Sequence, residues 1–175
     1  MKFNIASKAL YNATSAVSKV INSKNALAIL DNFLITLEGD KLTITGSDAE
    51  NALTAHLTVS EAEGSGSLCL GARRLVELLK EMPDQGVDVN INDDTLEVQL
   101  TYASGHYSFV GISAEQYPSF RVSGNDSEPI SFSIATEQLI TGLDNTMFAV
   151  STDEYRMIMQ GVYLDITPES ITFVA

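Results

Sequence analysis

Tryptophan is absent from this 175-residue chain, cysteine occurs once, histidine twice and proline four times. The lone Cys69 excludes an intrachain disulfide and argues against a thiolate metal cluster. Flanked by Leu68 and Leu70, it reads as a buried structural thiol. His56 and His106 lack the paired spacing of a zinc site, and neither is assigned a catalytic role. No glycine-rich phosphate loop is present, so no cofactor and no metal are expected. No apolar run reaches the roughly 18 residues of a membrane helix, and Met1-Lys2-Phe3 leads into an alternating segment rather than a signal-peptide hydrophobic region. A soluble, cytoplasmic protein is the expectation. Cations are scarce as well: ten Lys and Arg face 23 Asp and Glu, a net charge of −13, which ordinarily repels nucleic acid.

The scarcity is uneven. Residues 1 to 30 hold Lys2, Lys8, Lys19 and Lys24 and not one carboxylate. An acidic body with a locally basic face is therefore possible on charge distribution alone.

What the chain does contain is a long internal repeat. Phe3-Asn4-Ile5-Ala6 with Leu10 returns 129 positions later as Phe132-Ser133-Ile134-Ala135 with Leu139. The same offset runs ungapped to Ala175, setting Phe33-Leu34-Ile35-Thr36-Leu37 on Val162-Tyr163-Leu164-Asp165-Ile166 and Leu42-Thr43-Ile44 on Ile171-Thr172-Phe173. Only 6 of the 46 overlapping positions are identical, so the signal is an apolar pattern held in register. A period of this length repeats a domain rather than a solenoid unit. The second copy reaches Ala175 with the pattern unfinished, and the expectation is a chain that forms part of a longer protein.

Lys2 to Ala6 alternates as a strand, and Ser7 is a candidate cap for a helix to about Asn22. Leu10, Ala13 or Thr14, Val17 and Ile21 would face its core, with Lys8, Asn12, Ser15 and Lys19 opposite. Strands follow at Ile29 to Glu38, Lys41 to Ser47 and Asn51 to Ser60, the first two joined by the tight turn Glu38-Gly39-Asp40. The order then restarts: a strand at Ser67 to Leu70, a helix at Ala72 to Glu81, and strands at Val87 to Ile91, Thr95 to Tyr102 and His106 to Ile112. This is βαβββ twice, with helices on one face of antiparallel sheet, an α+β domain over residues 1–122. Residues 123–129 lie in the Gly, Ser, Pro and acid-rich stretch Arg121 to Pro129, which reads as a linker. The second domain, 130–175, would open with a strand at Ile130 to Ala135 and a Thr136-capped helix to Val150 with Leu139, Leu143 and Met147 inward. Strands near Arg156 to Ile166 and Ser170 to Ala175 would close it, giving only the first half of a domain.

A βαβββ half repeated within a domain, and the domain repeated along the chain, resembles the architecture of DNA processivity clamps. Met1-Lys2-Phe3, Leu27-Ala28-Ile29-Leu30-Asp31-Asn32, Thr43-Ile44-Thr45-Gly46-Ser47-Asp48-Ala49-Glu50, Ala72-Arg73-Arg74 and Glu115-Gln116-Tyr117-Pro118 are similar to the N-terminal part of the β sliding clamp family of bacterial DNA polymerase III. The resemblance covers the whole chain in order, and it is the joint spacing that is specific. It implies the DNA clamp fold and a non-catalytic accessory subunit, two copies of which close head to tail into a homodimeric ring around duplex DNA. Helices line the hole and sheets form the outside, which would reconcile the net charge with DNA. Implied partners are double-stranded DNA without sequence preference, the polymerase III catalytic subunit, the clamp loader and other proteins carrying a clamp-binding peptide.

Carried over by position, Lys24 and Arg73 match basic DNA-facing residues. Lys80 lies about two turns beyond Arg73 on its helix, and Lys8 and Lys19 join them by helix phase alone. Solvated helix faces are the plainer account of the same cations. Arg74 and Tyr107 match the subunit interface, although Tyr107 is equally a core or hairpin aromatic. Arg156 and Met159 match the border of the partner-peptide cleft, left incomplete because the family's Thr-Asp-Gly-His-Arg-Leu segment is not in the chain. One departure counts against a positive lumen: the helix from Thr136 carries Glu137 and Asp144 and neither Lys nor Arg.

Two rivals differ in class. An enzyme would have Asp48, Glu50 and His56 as its best set, with nothing in the sequence to fix them together. An acidic adaptor that binds only proteins, through a sheet edge, would lack any positive concave face.

Overall fold

The computed structural model describes residues 1–22, 25, 27–48, 50–118, 132–153 and 155–175. The chain divides into two compact units, Met1–Val122 and Ser123–Ala175. The linker stretch Arg121 to Pro129 and the position of Lys24 lie outside the described residues.

In the first unit the order is β1 (Lys2–Ala6), α1 (Ser7–Val17), β2 (Asn32–Glu38), β3 (Lys41–Ser47), β4 (Ala52–Thr58) and β5 (Ser60–Glu63). It continues with β6 (Gly66–Gly71), α2 (Ala72–Glu81), β7 (Gly86–Ile91), β8 (Glu97–Tyr102), β9 (Gly105–Val110) and β10 (Ile112–Ser113). The two βαβββ halves are both present, but their lead strands are exchanged. One sheet runs β5-β1-β7-β8-β9 and the other β10-β6-β2-β3-β4, so the first strand of each half completes the antiparallel meander of the other.

Period-two alternation sets the inward faces. Phe3 and Ile5, then Phe33, Ile35 and Leu37, then Leu42 and Ile44 are buried from the first half. Leu68 and Leu70, Val87, Val89 and Ile91, and Val98 and Leu100 are buried from the second. Both helices close one common core over these strands through Leu10 and Val17 on α1 and Leu75 and Leu79 on α2. Leu30, Cys69 and Tyr117 form a small second cluster. Burial pushes the Cys69 thiol up to about 11, which suits an inert structural cysteine. The β2–β3 hairpin turns on Gly39-Asp40, with Gly39 at φ +60°, the left-handed region that glycine enters without strain.

Several boundaries differ from the sequence expectation. The α-helix stops at Val17 rather than Asn22 and tightens into a 3-10 turn, Ser18–Val20, where the Ser18 hydroxyl donates to the Ser15 carbonyl at 2.9 Å. Ser7 is the first helical residue and caps nothing. It is buried, donating through Oγ to the Pro83 carbonyl (2.8 Å) and accepting from the Gln85 amide (3.1 Å), which ties the start of α1 to the exit of α2. The strand expected from Ile29 begins at Asn32, because the Asn32 side chain donates to the Ile29 carbonyl and closes the 3-10 turn Ala28–Asp31. The strand expected over Asn51 to Ser60 breaks at buried Val59, and its continuation β5 crosses to the other sheet.

The second unit has α3 (Thr136–Asp144), a 3-10 turn Met147–Ala149, another at Met157–Gln160, and the hairpin β11 (Tyr163–Ile166) and β12 (Ile171–Val174). Residues 132–135 form no strand, Thr136 makes no side-chain cap, and Met147 is exposed rather than inward. The exchange in the first unit explains the missing strand. A lead strand of this pattern pairs with the other half's meander, and among residues 132–175 no second meander is described. No described residue of this unit is buried.

Candidate nucleic-acid interface

The helices α1 and α2 pack against each other, α1 over β3 and β4 and α2 over β2 and β6. Each buries one stripe and leaves the other to solvent. Lys8 on α1, Lys19 in the following 3-10 turn, and Arg73, Arg74 and Lys80 on α2 are all exposed. The structure thus places four of the five expected DNA-contact residues on two adjacent helices and the 3-10 turn that follows the first of them, and Lys24 lies outside the described residues. The counter-charges on these elements are Glu77 and Glu81. Glu77 accepts from Arg73 Nε at 2.9 Å, one turn along a solvent-exposed face, a pair that raises the guanidinium pKa through its hydrogen bond and adds little to stability.

The placement of these cations runs against helix electrostatics. Lys8 is the second residue of α1 and Arg73 the second of α2, and neither first turn has an acid. A helix N-terminus carries partial positive charge, and a cation there costs a few tenths of a kcal/mol, up to about 1. The equivalent second residue of α3 is Glu137, which suits the dipole. Two of three equivalent helix starts therefore concentrate positive charge where folding does not favour it.

Arg74 and Tyr107, 33 residues apart in sequence, line one surface cleft of about 420 Å³ together with Asn32, Gly71, Phe109 and Val110. Tyr107 packs on Phe109 at a ring-centroid distance of 4.7 Å and remains half exposed, so it is neither a core aromatic nor a free one. The cleft borders β9, an edge strand of its sheet, and Val110 projects into solvent beside it. Sequence reasoning missed Asn32 and Val110. The unpaired apolar residue at the end of the last long strand was the available signal.

In the second unit Arg156 and Met159 share one turn, with the Met159 amide donating to the Arg156 carbonyl at 2.8 Å. Both side chains are exposed, and Arg156 reaches Asp153 at 3.7 Å. They do not line this unit's groove of about 480 Å³, which lies instead along Phe132, Ile134, Gln138, Ile166, Ile171 and Phe173.

The enzyme rival's residues are not assembled. Asp48 accepts from the Asn51 and Glu50 amides at 2.7 and 3.1 Å, which lowers its pKa and shapes the β3–β4 turn. His56 sits opposite Thr43 well down that hairpin and shares a 3.2 Å hydrogen bond with it. Among the described residues no group of His, Cys, Asp and Glu could hold a metal ion, and no helix is long and apolar enough to cross a membrane.

Two exchanged βαβββ halves, with paired helices on antiparallel sheet, define an α+β domain of the DNA clamp class. The family model for the DNA polymerase III beta subunit, N-terminal domain, matches residues 1–121, and the chain belongs to that family, which is non-catalytic. It is 27% identical to the beta sliding clamp of Pseudomonas aeruginosa over 176 residues and 28% identical to that of Synechococcus elongatus over 177. All of this chain is covered in both cases, and 47% and 46% of the relatives, so the chain spans about half their length. Among solved structures it superposes on the polymerase III beta subunit of P. aeruginosa with a TM-score of 0.86 at 24% identity, covering 98% of this chain and 45% of the other. On the Caulobacter crescentus pol III beta structure the TM-score is 0.82 at 26% identity, with 94% and 44% covered.

Proposed function

We propose that the chain serves as a sliding-clamp subunit in the cytoplasm, holding duplex DNA without sequence preference and tethering the replicative polymerase. In this reading Lys8, Lys19, Lys24, Arg73 and Lys80 face the phosphates, Arg74 and Tyr107 meet a neighbouring clamp subunit in a homodimeric ring, and Arg156 and Met159 border the cleft for the peptides of polymerase, clamp loader and other partners. Domains at 1–122 and 130–175 with a short linker between belong to the same reading. The observation that carries it is the pair of cation-bearing first turns on adjacent helices, a costly placement for folding that a polyanion reverses. Phosphate contacts specify no sequence, which is what sliding needs.

Fluorescence anisotropy of this chain with labelled duplex DNA tests the reading. Binding is expected at low salt, indifferent to sequence, with log K falling by about 0.9 per phosphate contact for each decade of salt. Lys8→Glu combined with Arg73→Glu is expected to abolish it. Absence of binding at low salt, or a double variant that binds like the parent, would leave the acidic adaptor as the better account.

A further inference from the structure

The two cationic helices of the first unit are not charged alike. Along α1 and the turn that follows it the exposed positions are Lys8, Asn12, Ala16 and Lys19, with no carboxylate among them. On α2 the exposed positions are Arg73, Arg74, Glu77, Lys80 and Glu81, and one of these cations is already engaged. Arg73 Nε donates to Glu77 Oε1 at 2.9 Å. Among the described residues no other ion pair joins two side chains of this unit.

The pair does little for folding. Both partners lie in solvent, with 90% of the Arg73 side chain and 62% of the Glu77 side chain accessible, where ion pairs contribute least. Its polarity is the weaker one for a helix, the cation preceding the acid by four residues. It also draws the Arg73 side chain toward the C-terminal end of α2, whereas helical side chains lean toward the N-terminus. What the pair does determine is the state of the guanidinium. One carboxylate matches its charge in direct contact, and a second, that of Asp31, lines the same surface cleft beside Ile21 and Val76. An exposed cation whose counter-ion is built into the next helical turn releases fewer mobile counterions when a phosphate arrives.

We propose that Glu77 is a positioning residue that competes with phosphate for Arg73 and so holds that one DNA contact weak. The inference rests on the DNA-holding reading above and assigns to α2 a different part from α1. To grip a phosphate through both arms of its fork, Arg73 gives up the Nε bond to Glu77. When it leaves that phosphate, Glu77 takes it back. Each step along a duplex then trades one anionic partner for another, and the guanidinium does not pass through an unpaired state. Lys8, Lys19 and Lys80 have no ion pair among the described residues, so they supply the greater share of the attraction. Arg73 supplies a contact that is made and released readily.

Anisotropy titrations of labelled duplex DNA at low salt compare the 175-residue chain with its Glu77→Gln and Glu81→Gln variants. Both variants remove one negative charge from the exposed face of α2, so both tighten binding through the long-range field. Glu81→Gln is expected to do no more than that, under about twofold and with an unchanged salt slope. Glu77→Gln is expected to tighten binding about three- to tenfold and to steepen the slope by up to about 0.9, because it also frees Arg73. In an Arg73→Gln background the gain from Glu77→Gln is expected to fall to the level of Glu81→Gln, since the cation through which Glu77 acts is gone. Thermal midpoints of both variants should match the parent's, as an exposed pair adds little to stability. Glu77→Gln that binds like Glu81→Gln, whether or not its melt falls, would overturn the inference and leave the DNA reading standing. So would a gain that survives undiminished without Arg73. A parent chain that binds no duplex at low salt would overturn both.

Discussion

The two units of this molecule draw on one apolar pattern and reach different states. In the first, Phe33, Leu42 and Ile44 are wholly buried beneath two helices and two sheets. In the second, their counterparts Val162, Ile171 and Phe173 form a helix-and-hairpin unit in which no described residue is buried. Alternation and helical periodicity are sufficient to specify elements, whereas a core requires a mate for each apolar face. The helix surfaces diverge in parallel. Lys8 and Arg73 at equivalent helix starts become Glu137, and α3 carries neither Lys nor Arg.

Core truncations should separate the units most. Ile44→Ala is expected to cost about 3 to 5 kcal/mol in urea unfolding of the first unit. Leu164→Ala, at a position with far less to lose, is expected to cost under about 1 kcal/mol in dilute, monomeric protein. Equal costs would mean that the second unit is covered after all. A smaller contrast comes from two glycines in tight places. A Cβ on Gly46 would meet Val17 Cγ1 at 2.8 Å and the Val17 carbonyl at 3.1 Å, and Gly46→Ala should destabilise by about 1 to 3 kcal/mol. On Gly142 the clash is with the Phe173 ring at 2.6 Å, and this ring has solvent beside it. The helix propensity gained by Ala, about 1 kcal/mol, should largely offset its displacement, leaving Gly142→Ala close to neutral by thermal melt.

Alkali should weaken the first unit by a route the second does not share through these two groups. Burial holds the Cys69 thiol up at about 11 against an ordinary 9.0. Burial and then the neighbouring Cys69 charge hold the Tyr117 hydroxyl up at about 12 against 10.0. Between those values the unfolded chain releases protons that the folded chain keeps. Stability from both groups is thus complete below about pH 9 and declines as pH rises through 11 and 12. Urea midpoints measured across that window should fall, and Cys69→Ala should flatten the lower part of the decline. The smallest expected effect is on the salt dependence of DNA binding. Lys80→Gln should reduce the slope by about 0.9, and Arg156→Gln on the other unit should leave it unchanged.

Local signals proved the most legible. The second helix occupies Ala72–Glu81 as its pattern demands, bounded by Gly71 and by Met82-Pro83, where a proline ends helical structure. The six meander strands are likewise evident from alternation. Ser7 and Thr136 mislead because a Ser or Thr caps a helix only when it is itself the extended residue at the boundary, and here Ala6 and Ala135 hold that position while Ser7 and Thr136 are already helical. Ser7 instead bonds across to Pro83 and Gln85. The exchange of lead strands leaves no local trace, since it pairs Phe3 with Val89 and Phe33 with Leu70 through registers that only the closed core selects. The meeting of Arg74 with Tyr107 was accessible through family resemblance and not through spacing, because it depends on where β9 lies in its sheet. Helix phase puts Met147 inward, but the α-helix ends at Asp144, and in the 3-10 turn Met147–Ala149 the side chain is exposed.

The exchange also orders events during translation. Strand β1 is synthesised well before its principal partner β7, which begins at Gly86. At roughly 5 to 20 residues per second, the ribosome needs some 5 to 20 s to supply it. Through that interval Phe3 and Ile5 remain available to chaperones or to a neighbouring nascent chain, and the first strand of this unit is among the last of its strands to be secured.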